Sequence, residues 1–193
     1  MSITEIITGL NKNDSAVKKQ LFDDYYGKLS AIALRYAKNK EQASKLFNHA
    51  FNACLLKLQK NKTVQTDQDT FFEKEFIQEC VDFIKNIRSE YYVASTVYAT
   101  NKDNKNYDLF EPNVIIDYDS VNPDILVKAL QLLVPSQRLI FNLHVIENYS
   151  LEESAAILEA SEQTVKSNLE KARFNLQKNI EKSLKETQHE QSF

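Results

Sequence analysis

Thr164, Lys166, Ser167, Asn168, Lys171 and Arg173 are side chains of the kinds that hydrogen-bond base edges and neutralise phosphates. Their spacing puts them on one face of a helix. The opposite face carries Val165, Leu169, Ala172 and Leu176, three and four residues apart, as a stripe for burial. Ser161 is an N-cap for that helix. A shorter helix precedes it, opened by the capping box Ser150-x-x-Glu153 and kept slim by Ala155, Ala156 and Leu158. Two helices joined this tightly read as helix-turn-helix, whose second member lies in a DNA major groove. The same pattern also suits any tightly joined helix pair of an all-α domain, so at this point binding and plain packing both stand.

Catalytic chemistry has no comparable group. His49, His144 and His189 lie far apart with unrelated neighbours, and no glycine-rich phosphate loop occurs. The chain is read as a non-enzyme without metal or cofactor.

The elements that position the polar face belong to a chain of 193 residues, enough for one or two domains. Its 42% hydrophobic and 26% charged residues make it globular rather than disordered. Two glycines and three prolines leave little material for hairpins, which points to an all-α fold. A net charge of -3 argues against tight binding to free DNA, because phosphate contacts dominate that affinity. A larger basic partner that holds the chain on DNA fits the charge better. Cys54 and Cys80 fall in apolar helical patterns and read as buried thiols, consistent with a cytoplasmic setting. The N-terminus lacks a signal pattern, and no apolar run approaches the roughly twenty residues that span a bilayer, so no membrane insertion is expected.

Taken in order, Ser2-x-x-Glu5 caps a short helix over residues 3–10, ended at Gly9. Asn13, Asp14 and Ser15 cap a longer one, to about Ala37, with Val17, Leu21, Phe22, Tyr25, Leu29, Ile32, Ala33 and Tyr36 on its apolar face. Ala43, Leu46, Phe47, Ala50, Phe51, Cys54, Leu55 and Leu58 mark the next. Residues 61–70 lack periodicity and read as a loop, after which Phe72, Phe76, Cys80, Phe83, Ile84, Ile87 and Tyr91 restore the stripe. The four helices make a bundle over residues 1–92. Residues 93–122 hold five acids, two lysines and no stripe, and read as an acidic linker between domains. Asn122 and Pro123 open a helix with the stripe Leu126, Leu130 and Leu133, and Pro135 opens another to about Ile146. The helix-turn-helix domain spans residues 123–185, and residues 186–193 are a polar tail.

The run from Leu132 through Arg138, Phe141, Leu143, Glu147, Tyr149-Ser150, Glu153, Ala155, Leu158, Ser161, Thr164-Val165-Lys166-Ser167, Leu169 and Ala172-Arg173 closely resembles the promoter-reading domain of extracytoplasmic-function sigma factors. Leu21-Phe22, Tyr25, Leu29, Ala33, Arg35-Tyr36, Ala43, Leu46, Phe51 and Leu58 resemble the domain of the same family that grips the polymerase clamp and melts the promoter. The resemblance implies a bacterial transcription initiation subunit. Its partners would be core RNA polymerase, promoter DNA, and an anti-sigma factor or another DNA-targeting protein. It implies polymerase binding through Lys45, Leu46, Asn48, His49, Phe51 and Asn52. It implies promoter melting and capture of flipped bases through Gln65, Thr66, Gln68, Lys85 and Arg88. DNA reading would fall to Gln163, Thr164, Lys166, Ser167, Asn168, Lys171 and Arg173 of the recognition helix. The linker would thread the polymerase RNA path, or serve as a plain acidic tether.

The chain departs from that family in places. An acidic Ala-Glu-Asp-Leu-x-Gln-Glu word stands here as Ala43-Ser44-Lys45-Leu46-Phe47-Asn48-His49, which removes acids that would meet clamp arginines. The turn glycine is Glu159, and a basic recognition position is Asn168, with Glu162 and Glu170 adding negative charge. The promoter-melting helix lacks the family's tryptophan. These departures leave open a helper for DNA targeting. They leave open as well a sigma-like interaction module that has lost initiation activity and binds a signalling partner.

Overall fold

The computed structural model describes residues 2–60, 67–87 and 121–190, and among them every regular element is helical. The chain divides into two compact units, Met1–Phe83 and Ile84–Phe193. The linker over residues 93–120 lies outside the described residues.

In the first unit, α1 (Ile3–Asn11) opens with both halves of the Ser2/Glu5 capping box, at 3.3 and 2.7 Å. Gly9 does not end it. That residue is buried inside α1, where a Cβ would stand 2.5 Å from Val17 Cγ2, so it serves close approach to the next helix. The left-handed turn falls instead on Asn13, at φ 56°.

Asp14 caps α2 (Ser15–Tyr36) through the Ala16 N–H at 2.8 Å. Asn39 caps α3 (Lys40–Lys60) through the Gln42 N–H at 2.8 Å, and the Gln42 amide oxygen accepts the Lys38 N–H at 2.7 Å. The fourth helix, α4, spans Gln68–Asn86, three residues earlier than periodicity alone places it. Asp67 is the reason: its carboxylate accepts the Thr70 N–H at 2.9 Å and the Thr70 hydroxyl at 2.6 Å.

The core of this unit is aromatic. Tyr25 stacks on Phe72 with centroids 4.4 Å apart, and Phe47 stacks on Phe51 at 5.6 Å and meets Phe76 at 5.8 Å. Cys54 and Cys80 are free and buried, and burial pushes the Cys54 thiol up to about 12. Ion pairs lace α4 to its neighbours: Lys28 to Glu73 at 2.7 Å, and Lys57 to Glu75 and Glu79 at 2.6 and 2.9 Å. Burial by itself would lower the Lys57 pKa, but the two carboxylates overcome it and hold the ammonium above the ordinary lysine value.

In the second unit, Asn122 caps α5 (Pro123–Gln131) through the Asp124 N–H at 2.9 Å, with proline in the first turn. The helix opened by Pro135 does run to Ile146, but in two registers. Residues Pro135–Ile140 are α-helical (α6) and Phe141–Ile146 form a π turn. Fully buried Asn142 explains the switch in part, since its side-chain amide donates to the Arg138 carbonyl at 2.8 Å. Arg138 is 1% exposed, and its guanidinium donates to the carbonyls of Gln131 and Leu133 at 3.0 and 2.7 Å, closing the end of α5. Then follow α7 (Leu151–Leu158) and α8 (Glu162–Glu190).

Two apolar clusters seat α8. Leu130, Leu133 and Ala172 meet Phe141, Ile146 and Leu176, while Val121, Ala129 and Ile180 meet Ile125, Leu126 and Leu184.

Candidate nucleic-acid interface

The α7–α8 pair is assembled from short-range bonds. Ser150 accepts the Glu153 N–H at 3.0 Å, and the Glu153 carboxylate accepts the Ser150 N–H at 2.7 Å. His144 Nδ1 lies 2.7 Å from the Tyr149 carbonyl and steadies the preceding turn, which passes through Asn148 at φ 60°. Glu159 ends α7 in the left-handed region, φ 53° and ψ 44°, the conformation a glycine would take without a Cβ penalty. The Ala160 N–H reaches back to Ala155 O at 3.0 Å and completes the cap. Ser161 then caps α8, accepting the Thr164 N–H at 3.1 Å and sharing a hydrogen bond with the Thr164 hydroxyl at 2.8 Å.

Val165, Leu169 and Ala172 are buried as the stripe requires. Gln163, Thr164, Lys166 and Arg173 are exposed, and Ser167, Asn168 and Lys171 are half-buried. Asn168 is already engaged: its amide donates to the Thr164 carbonyl at 3.0 Å, and its oxygen lies 3.5 Å from Ser136 Oγ on α6. Further along, Asn175 donates to Gln137 at 2.9 Å and Asn179 to the Ala129 carbonyl at 3.1 Å. Three asparagines on one side of α8 thus fix its placement against α5 and α6. Only the spacing 168, 175, 179 marks this seam in the sequence. Glu162 and Glu170 stand exposed on the same helix.

The residues expected to meet polymerase fall into two groups. Leu46 and Phe51 are buried in the bundle, at 0% and 7% exposure, and shape the surface of α3 from beneath. Lys45, Asn48, His49 and Asn52 are exposed. Lys45 pairs with Glu41 at 2.7 Å, and this holds the Glu41 carboxyl below its usual range. His49 Nε2 lies 3.6 Å from Glu79, and Asn52 donates to the Asn48 carbonyl at 2.8 Å. The outer side of α3 therefore offers no unpaired carboxylate.

Of the residues expected to hold melted DNA, Gln65, Thr66 and Arg88 lie outside the described residues. Gln68 is the first residue of α4 rather than a loop residue, half-buried beside the Tyr25 hydroxyl. Lys85, in the stretch grouped with the second unit, pairs with Glu159 at 2.9 Å.

Phe22, expected on the apolar face of α2, is 38% exposed, and Tyr26 one turn on is 50% exposed. Among the described residues no cluster of three metal-ligating side chains occurs, and no helix is long and apolar enough to cross a membrane.

Residues 124–176 match the family described as Sigma-70, region 4. The fold is similar to that of the sigma factor RpoE from Bartonella quintana, solved in complex with the anti-sigma factor NepR. That match has a TM-score of 0.51 and 22% identity, and covers 84% of this chain and 95% of that one. No curated protein matches the chain in sequence. The likeness to RpoE-type sigma factors carried by the sequence is met both by the region 4 match and by the fold.

Proposed function

We propose that this chain, whose residues 124–176 form a sigma-70 region 4 domain, is a cytoplasmic bacterial sigma factor of the extracytoplasmic-function type. It joins core RNA polymerase and directs promoter recognition and transcription initiation. Residues 1–92 dock on polymerase and melt DNA, residues 93–122 connect, and residues 123–185 read the upstream promoter element. The observation that carries this reading is α8: capped by Ser161, seated by its buried stripe, and presenting Gln163, Thr164, Lys166 and Arg173 to the outside.

Two features of the chemistry shape the mechanism. With a net charge of -3, and with Glu162 and Glu170 beside the basic residues, α8 by itself gains little from phosphate contacts. Polymerase must supply most of the DNA affinity, and a helper for DNA targeting has a place here. The RpoE complex makes an anti-sigma factor the natural regulator. On α8, Lys166 and Arg173 suit phosphates and Thr164 and Gln163 suit base edges. Asn168, held by Thr164 and Ser136, positions the helix.

The test is reconstitution: the full chain mixed with core polymerase of its own organism, followed by size-exclusion chromatography and run-off transcription from genomic fragments. Co-elution and discrete transcripts are expected. Failure of both overturns the proposal. The outer side of α3, which offers no unpaired carboxylate, favours a second reading, an interaction module without initiation activity that binds a signalling partner. Stable binding to an anti-sigma factor with no transcript from any promoter would select it.

A further inference from the structure

The seam between α6 and α8 holds an amide whose burial brings no stability of its own. Gln137 is 1% exposed, its side-chain oxygen accepts the Asn175 amide at 2.9 Å, and its own amide nitrogen has no hydrogen-bond partner among the described residues. A buried donor left unpaired costs stability, and aliphatic side chains of similar volume at 137 and 175 would avoid that cost. What a hydrogen bond supplies and an aliphatic contact lacks is direction.

Direction matters most for α8. Its apolar stripe packs by ridges and grooves, which leaves a helix free in orientation to within about 15–20°. A turn of that size about the axis carries a side-chain tip, about 5–6 Å out, through roughly 1.5–2 Å. Such a shift takes a donor out of the window of about 2.7–3.2 Å in which it bonds a base edge.

The seam is placed to prevent that turn. At about 100° per residue, Asn168, Asn175 and Asn179 fall within about 40° of one another, and Gln163, Lys166 and Arg173 stand about 140–160° around from their centre. Ser136 at 3.5 Å, Gln137 at 2.9 Å and the Ala129 carbonyl at 3.1 Å meet the three asparagines. These contacts spread over about 16 Å of the axis, and the shortest is the central one. Asn175 lies about 13 Å along the axis beyond Lys166, too far from the first turns of α8 to reach the bases they face.

We propose that Gln137 and Asn175 are a positioning pair. Touching no DNA, they hold the rotation of α8 at which Gln163, Lys166 and Arg173 meet the promoter, and so set how sharply one promoter is told from another. This rests on the reading of α8 as the promoter-reading helix.

The experiment compares the full chain with three variants: Gln137→Met, the double change Gln137→Leu with Asn175→Leu, and the exchange Gln137→Asn with Asn175→Gln, which remakes the bond from the other side. Each is assembled with core polymerase, and run-off transcription is measured from the genomic fragment transcribed best and from copies with single-base changes in its upstream element. Residual dipolar couplings of α5 and α8 amides report the orientation of α8 in the free protein. The leucine double variant should melt at or above the parent's temperature, yet lower the ratio of parent to altered promoter by about tenfold. Gln137→Met should lower it in the same direction, and the exchange should restore it to within about twofold. The α8 couplings should change in the leucine double variant and return in the exchange. Undiminished discrimination or unchanged couplings in the leucine double variant, an exchange that restores nothing, or discrimination that merely follows melting temperature would each overturn the proposal. Absence of any transcript from the parent overturns the promoter reading itself, an outcome distinct from a discriminating parent whose variants discriminate equally, which overturns the pair alone.

Discussion

The two units secure their surfaces over different distances along the chain. Around the helix-turn-helix, the ties that close the helix ends run between residues three to seven apart, Ser150 with Glu153, Ser161 with Thr164, His144 with Tyr149, and Arg138 with Gln131 and Leu133, while the three asparagines of α8 reach back 32 to 50 residues to seat it. In the first unit the helix ends are closed locally too, but the polar side chains that join one helix to another run between residues 18 to 49 apart: Lys57 with Glu75, Tyr25 with Asp69, Lys28 with Glu73, and Gln59 with the Leu10 carbonyl. A locally closed site keeps its shape when distant parts of the protein change. A site closed by remote partners has its chemistry set by whichever residue another helix delivers.

That contrast breaks or sharpens under substitution. The largest effect is expected from Arg138→Ala, which removes the guanidinium that donates to the buried Leu133 carbonyl and to the half-buried Gln131 carbonyl. The second unit should lose about 3 kcal/mol, read by urea unfolding, with amide exchange in α2 and α3 unchanged. A loss that spreads to those helices would erase the distinction between the units. Ser150→Ala removes half of a capping box and should cost about 1 kcal/mol, with fraying of α7 seen in its amide exchange.

Lys57→Met leaves Glu75 and Glu79 facing each other across a lost cation. Because Lys57 is 39% exposed, solvent screening keeps the cost below about 1 kcal/mol, and the loss should be felt by α3 and α4 together. Glu159→Gly relieves the left-handed backbone and should gain roughly 0.5 kcal/mol in thermal unfolding.

The smallest effect concerns pH. The Thr70 hydroxyl and N–H hold the Asp67 carboxyl below its usual range. Its contribution to stability is therefore present above the unfolded carboxylate pKa and is lost as pH falls through the lower folded value. Asp67→Asn keeps the cap and should flatten the acid limb of the stability profile. An unchanged limb would show that Asp67 titrates alike in both states.

The limits of what could be read in the chain follow the same division. Helix type, the capping boxes at Ser2 and Ser150, the Ser161 cap and the buried stripe of α8 were all legible, and so was the glycine-like position at Glu159. Gly9 reads as a helix end in the sequence because its neighbour Val17 belongs to another helix. Periodicity starts α4 late because the apolar period begins at Phe71, while the helix begins at its Asp67 cap. The π turn escaped because Asn142 looks like any polar residue until it is buried against the Arg138 carbonyl. The period alone places Phe22 inward, and only the position of Phe47 shows that it stands half outside.

What the sequence by itself determined was thus carried by neighbours within about two turns: which segments become helices, where the helices capped by Ser2, Ser150 and Ser161 begin, and which side of α8 is polar. Such interactions depend on spacing, and spacing is written in the chain. The tertiary structure alone decided that Leu46 and Phe51 lie beneath the α3 surface, that Asn168 is held by α6, and that Asn175 meets Gln137. Each of these depends on which remote side chain arrives at a given surface, a choice made by the packing of whole helices against one another.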